Sequence, residues 1–291
     1  MTVERPPFDV CVVGSSNLDL VVTAPRHPQP GETLLGTAYH EYPGGKGLNQ
    51  AVAAARAGPP TTFVSALGDD AAGDRLAMVL AEEAIDATAV QRCTSTATGR
   101  ALITVDHAGE NSIVVVPGAN AELRPAPLPD AIVVLGQLEI PMGVVADAFA
   151  QARAGGRVTI LNPAPAVTLP DELLGRCTIV IPNEHEREAL GGVDRCFDAG
   201  VEAVITTLGG EGVEVHTPDG HRRIPPFSVT PIDTTGAGDA FCGAFAVAIA
   251  GGADPFSAAR FAAAAGALAT TRAGAVPSLP RRREIEALLA S

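Results

Sequence analysis

VCVVGSSNLD, residues 10–19, begins with four apolar residues, closes on a glycine and runs on into a polar stretch. A short apolar run bounded by a turn signal reads as a strand buried on both faces. Similar runs recur at TTFVSALG (61–68), AIVVLGQLE (131–139), VTILNPAP (158–165), CTIVIPNE (177–184) and AVITTLG (203–209). Between most of them lie segments of helix-forming composition: GLNQAVAAARAG (47–58), AGDRLAMVLAEEAI (72–85) and MGVVADAFAQARAGG (142–156). Several of these stop at glycine, the residue that most readily ends a helix. Strands alternating with helices predict an α/β fold, a mostly parallel central sheet with helices on both faces.

Two stretches break the alternation. LDLVVTAP with TLLGTAYHEY (18–42), and RALITVDHAGENSIVVVPGA (100–119), read as strands with no helix between them, the second a hairpin around AGEN. They predict a small β-sheet lid, formed by about 15–43 and 98–119, on a single α/β domain covering 1–291. The C-terminal third is helical again, from Gly236 to Ala250, through PFSAARFAAAAGALATTRAG (255–274) and near REIEALLA (283–290).

With 291 residues, 46% of them hydrophobic, the chain can bury a substantial core. Acidic residues outnumber basic ones by 33 to 20, so the long-range field repels phosphate backbones and anionic membranes. An aromatic fraction of 4% without tryptophan leaves few platforms for unpaired bases, and no nucleic-acid partner is expected. The five cysteines are scattered and show no paired spacing, which suits a reduced compartment. MTVERPPFDVCVVG lacks the basic-then-apolar order of a signal peptide, and no apolar stretch is long enough for a bilayer, so a cytoplasmic protein with no membrane partner is expected. Of the 20 basic residues only Lys46 is a lysine. An arginine's planar fork cannot replace a compact ammonium in a tight site, so this position stands out.

Ligands of open α/β sheets collect outside the carboxyl ends of the strands. Polar residues gather at several such points: Asn17 and Asp19 after the first strand, Glu139 at the end of QLE, Asn183 and Glu186 after TIVIP. In PGGKGLNQ, Gly44, Gly45 and Gly47 let backbone approach a ligand while Lys46 and Asn49 supply donors, although the phosphate-loop pattern G-x-x-x-x-G-K-[ST] is not met. Taken singly, a residue such as Asn17 or Glu139 is more often a turn or cap residue than a ligand. DTTGAGDAF (233–241) is more specific, because Gly236 and Gly238 before a helix present successive N–H groups to an anion. Asp239 there is either a base that accepts a hydroxyl proton or an acid that stabilises a helix N-terminus.

PGGKGLNQAVAAARAG and DTTGAGDAFCGAF resemble the two signatures of the ribokinase-like carbohydrate kinases. The likeness continues in family order through VVGSSNLD, QLE, LNPAPA, PNEHE, TTLGGEG and RAGAVPSLP, over nearly the whole chain. The resemblance implies the family's three-layer fold and an ATP-dependent kinase acting on the primary hydroxyl of a pentose, D-ribose foremost. It implies sugar contacts at Asn17, Asp19, Gly45, Lys46, Gly47, Asn49 and Glu139, with Asp239 as general base. The implied anion hole is Gly236, Ala237 and Gly238. The nucleotide contacts implied are Asn183, Thr207, Leu208, Gly209, Gly210, Glu211, Gly212, Gly238 and Ala263, with magnesium carried by ATP and associated indirectly with Glu186. A potassium activator is implied at Asp233, Thr235, Ala269, Arg272, Gly274 and Ser278, and a homodimer through the lid, whose Val21, Val22, Val114 and Val115 either cover an interface or pack within the lid.

The chain also departs from the family pattern. Only VDRCFDAGVE remains where a longer helix-containing segment is usual, implying a shortened helix on the nucleotide side. Gly210 and Glu211 place an extra acid near the triphosphate, and Ala263 replaces a histidine found in some members. Three readings stay open: a ribose kinase, the same chemistry on another sugar or a nucleoside, and a sugar or nucleotide sensor without turnover. The scarcity of basic residues near the acceptor motifs disfavours a phosphorylated acceptor, and with only Tyr39 and Tyr42 in the lid a nucleoside lacks stacking partners.

Overall fold

The structure is a computed structural model, and it describes residues 5–58 and 60–291. The first part of the chain comprises β1 (Phe8–Val13), β2 (Asn17–Thr23), β3 (Ala38–Gly44), α1 (Lys46–Ala57), β4 (Thr61–Gly68), α2 (Ala71–Glu82) and β5 (Val90–Cys93). Then follow β6 (Gly99–Val105), β7 (Asn111–Val116), β8 (Ala131–Gly136), α3 (Met142–Ala154), β9 (Val158–Leu161), α4 (Asp171–Leu174), β10 (Ile179–Val180), α5 (Glu184–Ala189) and α6 (Gly192–Asp198). The chain continues with β11 (Ala203–Thr207), β12 (Val213–Thr217), β13 (Gly220–Ile224), α7 (Ala237–Ala250), α8 (Pro255–Ala269), α9 (Ala275–Ser278) and α10 (Arg282–Ala290).

Nine strands form the main sheet in the order β13-β12-β11-β10-β9-β8-β1-β4-β5. All pairings are parallel except the two joining β11, β12 and β13. β1 is buried on both faces, as its unbroken apolar run requires: Val10 and Val12 enter one core cluster, Cys11 and Val13 the other. Helices α1, α7, α8 and α10 cover the first face; α3, α4 and α6 cover the second. β5 and the β12–β13 hairpin carry no such apolar run and are not evident from the sequence pattern. In β12 only alternate residues, Val213 and Val215, face the core.

Because β1, β8, β9, β10 and β11 run parallel, their carboxyl ends lie along one edge. They deliver Ser15 to Asn17, Gln137 to Glu139, Asn162, Asn183 and Thr207 to that edge. The lid is a separate four-stranded sheet in the order β3-β2-β6-β7, with β2 and β6 parallel and the outer pairs antiparallel. Its register places Asp19, Val21, Ala101, Tyr42 and Val115 on one face and Val22, Leu102, Val114 and Tyr39 on the other. The lid is tied to the core where Arg75 of α2 donates to the Glu41 carboxylate at 2.7 Å and to its carbonyl at 2.9 Å. No helix among the described residues is long and apolar enough to cross a membrane.

α7 is apolar almost all round, with nine buried residues, because α1 packs on one flank and α8 on another. The α1–α7 approach depends on Gly243: a Cβ there would lie 2.6 Å from both the Ala53 Cβ and the Gln50 carbonyl oxygen. Helices come this close only where a side chain is missing. Gly243→Ala is therefore expected to cost about 1–3 kcal/mol by overpacking, read as a lowered urea midpoint with an unchanged m-value.

Candidate active site

The acceptor side is built from backbone that only glycine tolerates. Gly45 caps α1 at φ 89°, and a Cβ on Gly47 would meet the Gly14 carbonyl carbon and the Ser15 nitrogen at 2.4 Å. This close approach lets Glu139 bind the start of α1. One carboxylate oxygen of Glu139 accepts from the Lys46 N–H at 3.0 Å and from the Ser15 hydroxyl at 2.5 Å. The neighbouring strand end is fixed by Asn120, buried at the end of the lid hairpin. It donates to the Asn17 Oδ1 at 2.8 Å and accepts from the Ser16 N–H at 2.8 Å. The Asn17 amide nitrogen is thereby left to face outward as a donor.

Asp19 has no protein hydrogen-bond donor among the described residues, and Gly44 makes room for it: a Cβ there would lie 2.0 Å from Asp19 Oδ2. Burial first, then the carboxylates of Glu139 and Asp239, push the Asp19 carboxyl up to about 7. Asp239 sits in the first turn of α7, buried, with Oδ2 accepting from Asn49 at 2.9 Å and Oδ1 from Gln50 at 2.9 Å. Burial raises its pKa, against the opposing pull of Lys46 and of the two amide donors. Burial alone would lower the Lys46 ammonium, yet Asp239, Glu139 and Glu186 together hold it above the usual lysine value. Lys46 is thus a fixed positive charge among three carboxylates.

At the mouth of α7, Gly236 adopts φ 77°, a left-handed cap that turns its neighbours' N–H groups outward. Among the described residues the N–H groups of Gly236 and Gly238 meet no protein acceptor, whereas Ala237 donates to the Thr234 carbonyl at 3.2 Å. Two joined cavities open from this point. One, of about 240 Å³, is lined by Lys46, Asn162, Asn183, Glu186, Gly238 and Asp239 among others. The other, of about 560 Å³, is more apolar and is lined by Gly209, Gly210, Gly212, Phe227, Phe241 and Ala263 among others. Thr207, Thr234 and Gly238 line both and mark the junction.

The sequence-derived candidates separate on this geometry. Asn183, Thr207, Gly209, Gly210, Gly212, Gly238 and Ala263 line the cavities; Leu208 and Glu211 do not. Glu211 is instead paired with Arg223 at 2.9 Å, so the extra acid brings its own counter-charge. The segment 191–203 lines neither cavity; it keeps a short helix, α6, whose Cys196 packs into the cluster on the opposite face. Asn183 and Glu186 form a capping box on α5: the Asn183 side chain accepts from the Glu186 N–H at 2.8 Å, and Glu186 Oε2 accepts from the Asn183 N–H at 2.9 Å. On the far side of α7, the Asp233 carboxylate accepts from the Thr235 N–H at 2.9 Å and the Gly274 N–H at 2.8 Å. Burial would raise its pKa, but these bonds hold it below the usual carboxylate range. The Arg272 guanidinium is turned away to Glu284, leaving only its backbone near this loop, and Ser278 donates to the Ala275 carbonyl at 2.8 Å.

Several site residues are not singled out by the sequence reading: Ser15, Gln50, Asn120, Gln137, Asn162 and Thr234. The signal for Gln50, Asn162 and Thr234 lies inside PGGKGLNQ, LNPAP and DTTGAGD, where a buried polar residue beside a functional one calls for a partner. Asn120 carries no local signal, since its partners lie 103 and 104 positions away.

A cleft of this kind, with a buried carboxylate between the one lysine and a glycine-rich N–H nest, defines a small-molecule phosphotransferase. The chain belongs to the pfkB family of carbohydrate kinases, whose model matches residues 8–282. It is 41% identical to ribokinase of Haemophilus influenzae, over 94% of this chain and 95% of that one. It is 40% identical to ribokinase of Bacillus subtilis, over 97% and 99%. Among solved structures, Arabidopsis thaliana ribokinase complexed with ribose and ATP matches with a TM-score of 0.91 at 33% identity, covering 99% of this chain and all of that one.

Asp19 gives the ligand-free protein a pH signature. Folding raises its pKa from 3.8 to about 7, so the folded chain retains a proton that the unfolded chain releases. The stabilisation from that proton is complete below about pH 4 and is lost as pH rises through about 7. Asp19→Asn should raise the urea midpoint relative to the parent at about pH 8, with the gap narrowing toward pH 4.

Proposed function

We propose that the protein transfers the γ-phosphoryl group of ATP to the primary hydroxyl of D-ribose, giving D-ribose 5-phosphate. The observation that carries this reading is the placement of Asp239. Its carboxylate is clamped by Asn49 and Gln50 in the wall of the smaller cavity, beside Lys46 and Gly238, where that cavity joins the larger one. Asn17, Asp19, Lys46 and Glu139 supply donors and acceptors for vicinal hydroxyls on the acceptor side. Tyr39 faces away from Asp19 across the lid, leaving Tyr42 as the one lid tyrosine on the inner face, which favours a free sugar over a nucleoside.

Asp239 accepts the hydroxyl proton as the sugar oxygen bonds to the γ-phosphorus and the bond from that phosphorus to the ADP oxygen breaks. Its pKa, raised by burial, makes it a stronger base than an ordinary aspartate. The free N–H groups of Gly236 and Gly238 face the charge that develops on the transferred group, and Lys46 adds a fixed positive charge. Glu186 spends Oε2 on its cap and lines the smaller cavity, a hard oxygen donor suited to hold the hydrated divalent metal that accompanies ATP. When bound, that metal neutralises phosphate charge. Asp239→Asn is expected to lower kcat by about 10²–10⁴-fold with ribose affinity little changed. ADP release measured with ribose, deoxyribose, fructose, fructose 6-phosphate and nucleosides tests the acceptor, and no turnover with ribose would sink the reading.

We also propose potassium activation through the Asp233 loop. Asp233 bridges Thr235, beside the anion nest, to Gly274, and a Cβ on Gly236 would lie 3.1 Å from the Ala275 Cα, so the two loops move as one. A cation held by carbonyls there would set the position of the nest. Replacing potassium with tetramethylammonium at equal ionic strength should lower kcat several-fold; an unchanged rate would exclude the effect.

The outer lid face is proposed as a homodimer contact. Val22, Leu102, Val114 and Tyr39 form an apolar face of which Val114 is 62% exposed. Val21 and Val115 lie on the Asp19 face, so the four lid valines divide between the two faces of the sheet. Val114→Glu should shift the sedimentation coefficient to that of a monomer, and a monomeric parent would refute the contact.

A further inference from the structure

We propose that Gln50 is a positioning residue for phosphoryl transfer: it sets the orientation of the Asp239 carboxylate and ties it, through Asn162, to the phosphate side of the site. The inference rests on the kinase reading given above.

Gln50 is fully buried on α1, and every hydrogen-bonding position of its amide that matters is filled. Its Nε2 donates one hydrogen to Asp239 Oδ1 at 2.9 Å and the other to Asn162 Oδ1 at 3.1 Å. Its Oε1 accepts from Gln137 Nε2 at 2.6 Å. Asn162 in turn donates to the Ile181 carbonyl at 3.0 Å, which turns its own oxygen toward Gln50. Flipping the Gln50 amide would set its oxygen against two acceptors and its NH₂ against a donor, so the chain admits one orientation. Gln137, Asn162 and Ile181 lie at or beyond the ends of β8, β9 and β10, so three rigid strands fix the amide that fixes the base.

Asn49 and Gln50 are consecutive on α1, about 100° apart around the helix, and each takes one oxygen of Asp239. Two donors arriving from different directions define the carboxylate plane, which a single donor would leave free to rotate. Asn162 lines the same cavity as Lys46 and Glu186. A shift on the phosphate side is therefore felt at the base through two hydrogen bonds from one nitrogen. Packing alone does not require this arrangement, because a methionine would fill the same volume.

The test compares Gln50→Met, Gln50→Glu and Gln137→Met with the parent, measuring kcat, the ribose dissociation constant and the melting temperature. Loss of one hydrogen bond to a charged group predicts a kcat about 10–100-fold lower for Gln50→Met, with ribose affinity within about threefold. Gln50→Glu keeps the shape and the bond from Gln137 but replaces the donor with a second acceptor. Its kcat should fall at least as far, whereas a purely structural role would make this isostere the milder change. Gln137→Met, which removes the donor to Gln50 Oε1 and leaves the amide held only through its nitrogen, should lower kcat by a smaller factor in the same direction, and covers the case in which a Gln50 variant does not fold. A kcat within twofold of the parent for the folded Gln50→Met protein, or equal losses in kcat and ribose affinity, would overturn the proposal. A parent without ribose-dependent ADP release would defeat the kinase reading instead; a normal parent with an indifferent Gln50→Met defeats Gln50 alone.

Discussion

The site depends on how closely α1 and α7 pack. Gly243 lies four residues after Asp239, one turn further along the same helix, with its missing Cβ against the Gln50 carbonyl and Ala53. Because the backbones touch there, the side chains of Asn49 and Gln50 reach the Asp239 carboxylate one turn away. A wider crossing would leave that carboxylate buried without donors, a state that costs far more than a turn of helix can supply. The packing of two apolar helices and the chemistry of the base are one constraint.

A second constraint is electrostatic. Glu139, Glu186 and Asp239 all act on the one lysine of the chain, Asp19 stands within reach of Glu139 and Asp239, and a single ammonium cannot neutralise four carboxylates. The imbalance is resolved unevenly. Glu139 is satisfied by Ser15 and the α1 N-terminus, Glu186 by its capping box and Asp239 by two amides, while Asp19 has no donor among the described residues and is pushed up to about 7. The group left without a partner is one assigned to the acceptor in the proposed reading, in which adjacent hydroxyls of a polyol would supply the donors that Asp19 lacks.

The lid extends the same economy of faces. Strand alternation gives one sheet two surfaces of different character: Asp19 and Tyr42 look inward and Val22, Val114 and Tyr39 outward. Glu41 anchors the sheet to α2 through Arg75, and Thr98 at the base of β6 donates to Asp70, the N-cap of the same helix. The lid thus stands on one helix at two points.

The parallel sheet, the paired signatures and most candidate contacts are legible in the chain, because a strand buried on both faces must be continuously apolar and a nest of N–H groups must be rich in glycine. Lys46 stood out for being alone among arginines, and Asp239 for its place after Gly236 and Gly238. What the sequence could not assign was the role of neutral amides. Gln50, Asn120 and Asn162 are unremarkable in a local window, and their partners lie far along the chain. Their function is decided by which strand ends and which helix flank the tertiary packing brings within 3 Å or so of one another. Likewise the four lid valines divide between two faces only once strand register is set. The amino-acid sequence determined the kind of fold and offered the groups to which the proposed chemistry is assigned; the packed structure determined which buried donors hold those groups still, since a hydrogen bond depends on distance and direction that no linear pattern records.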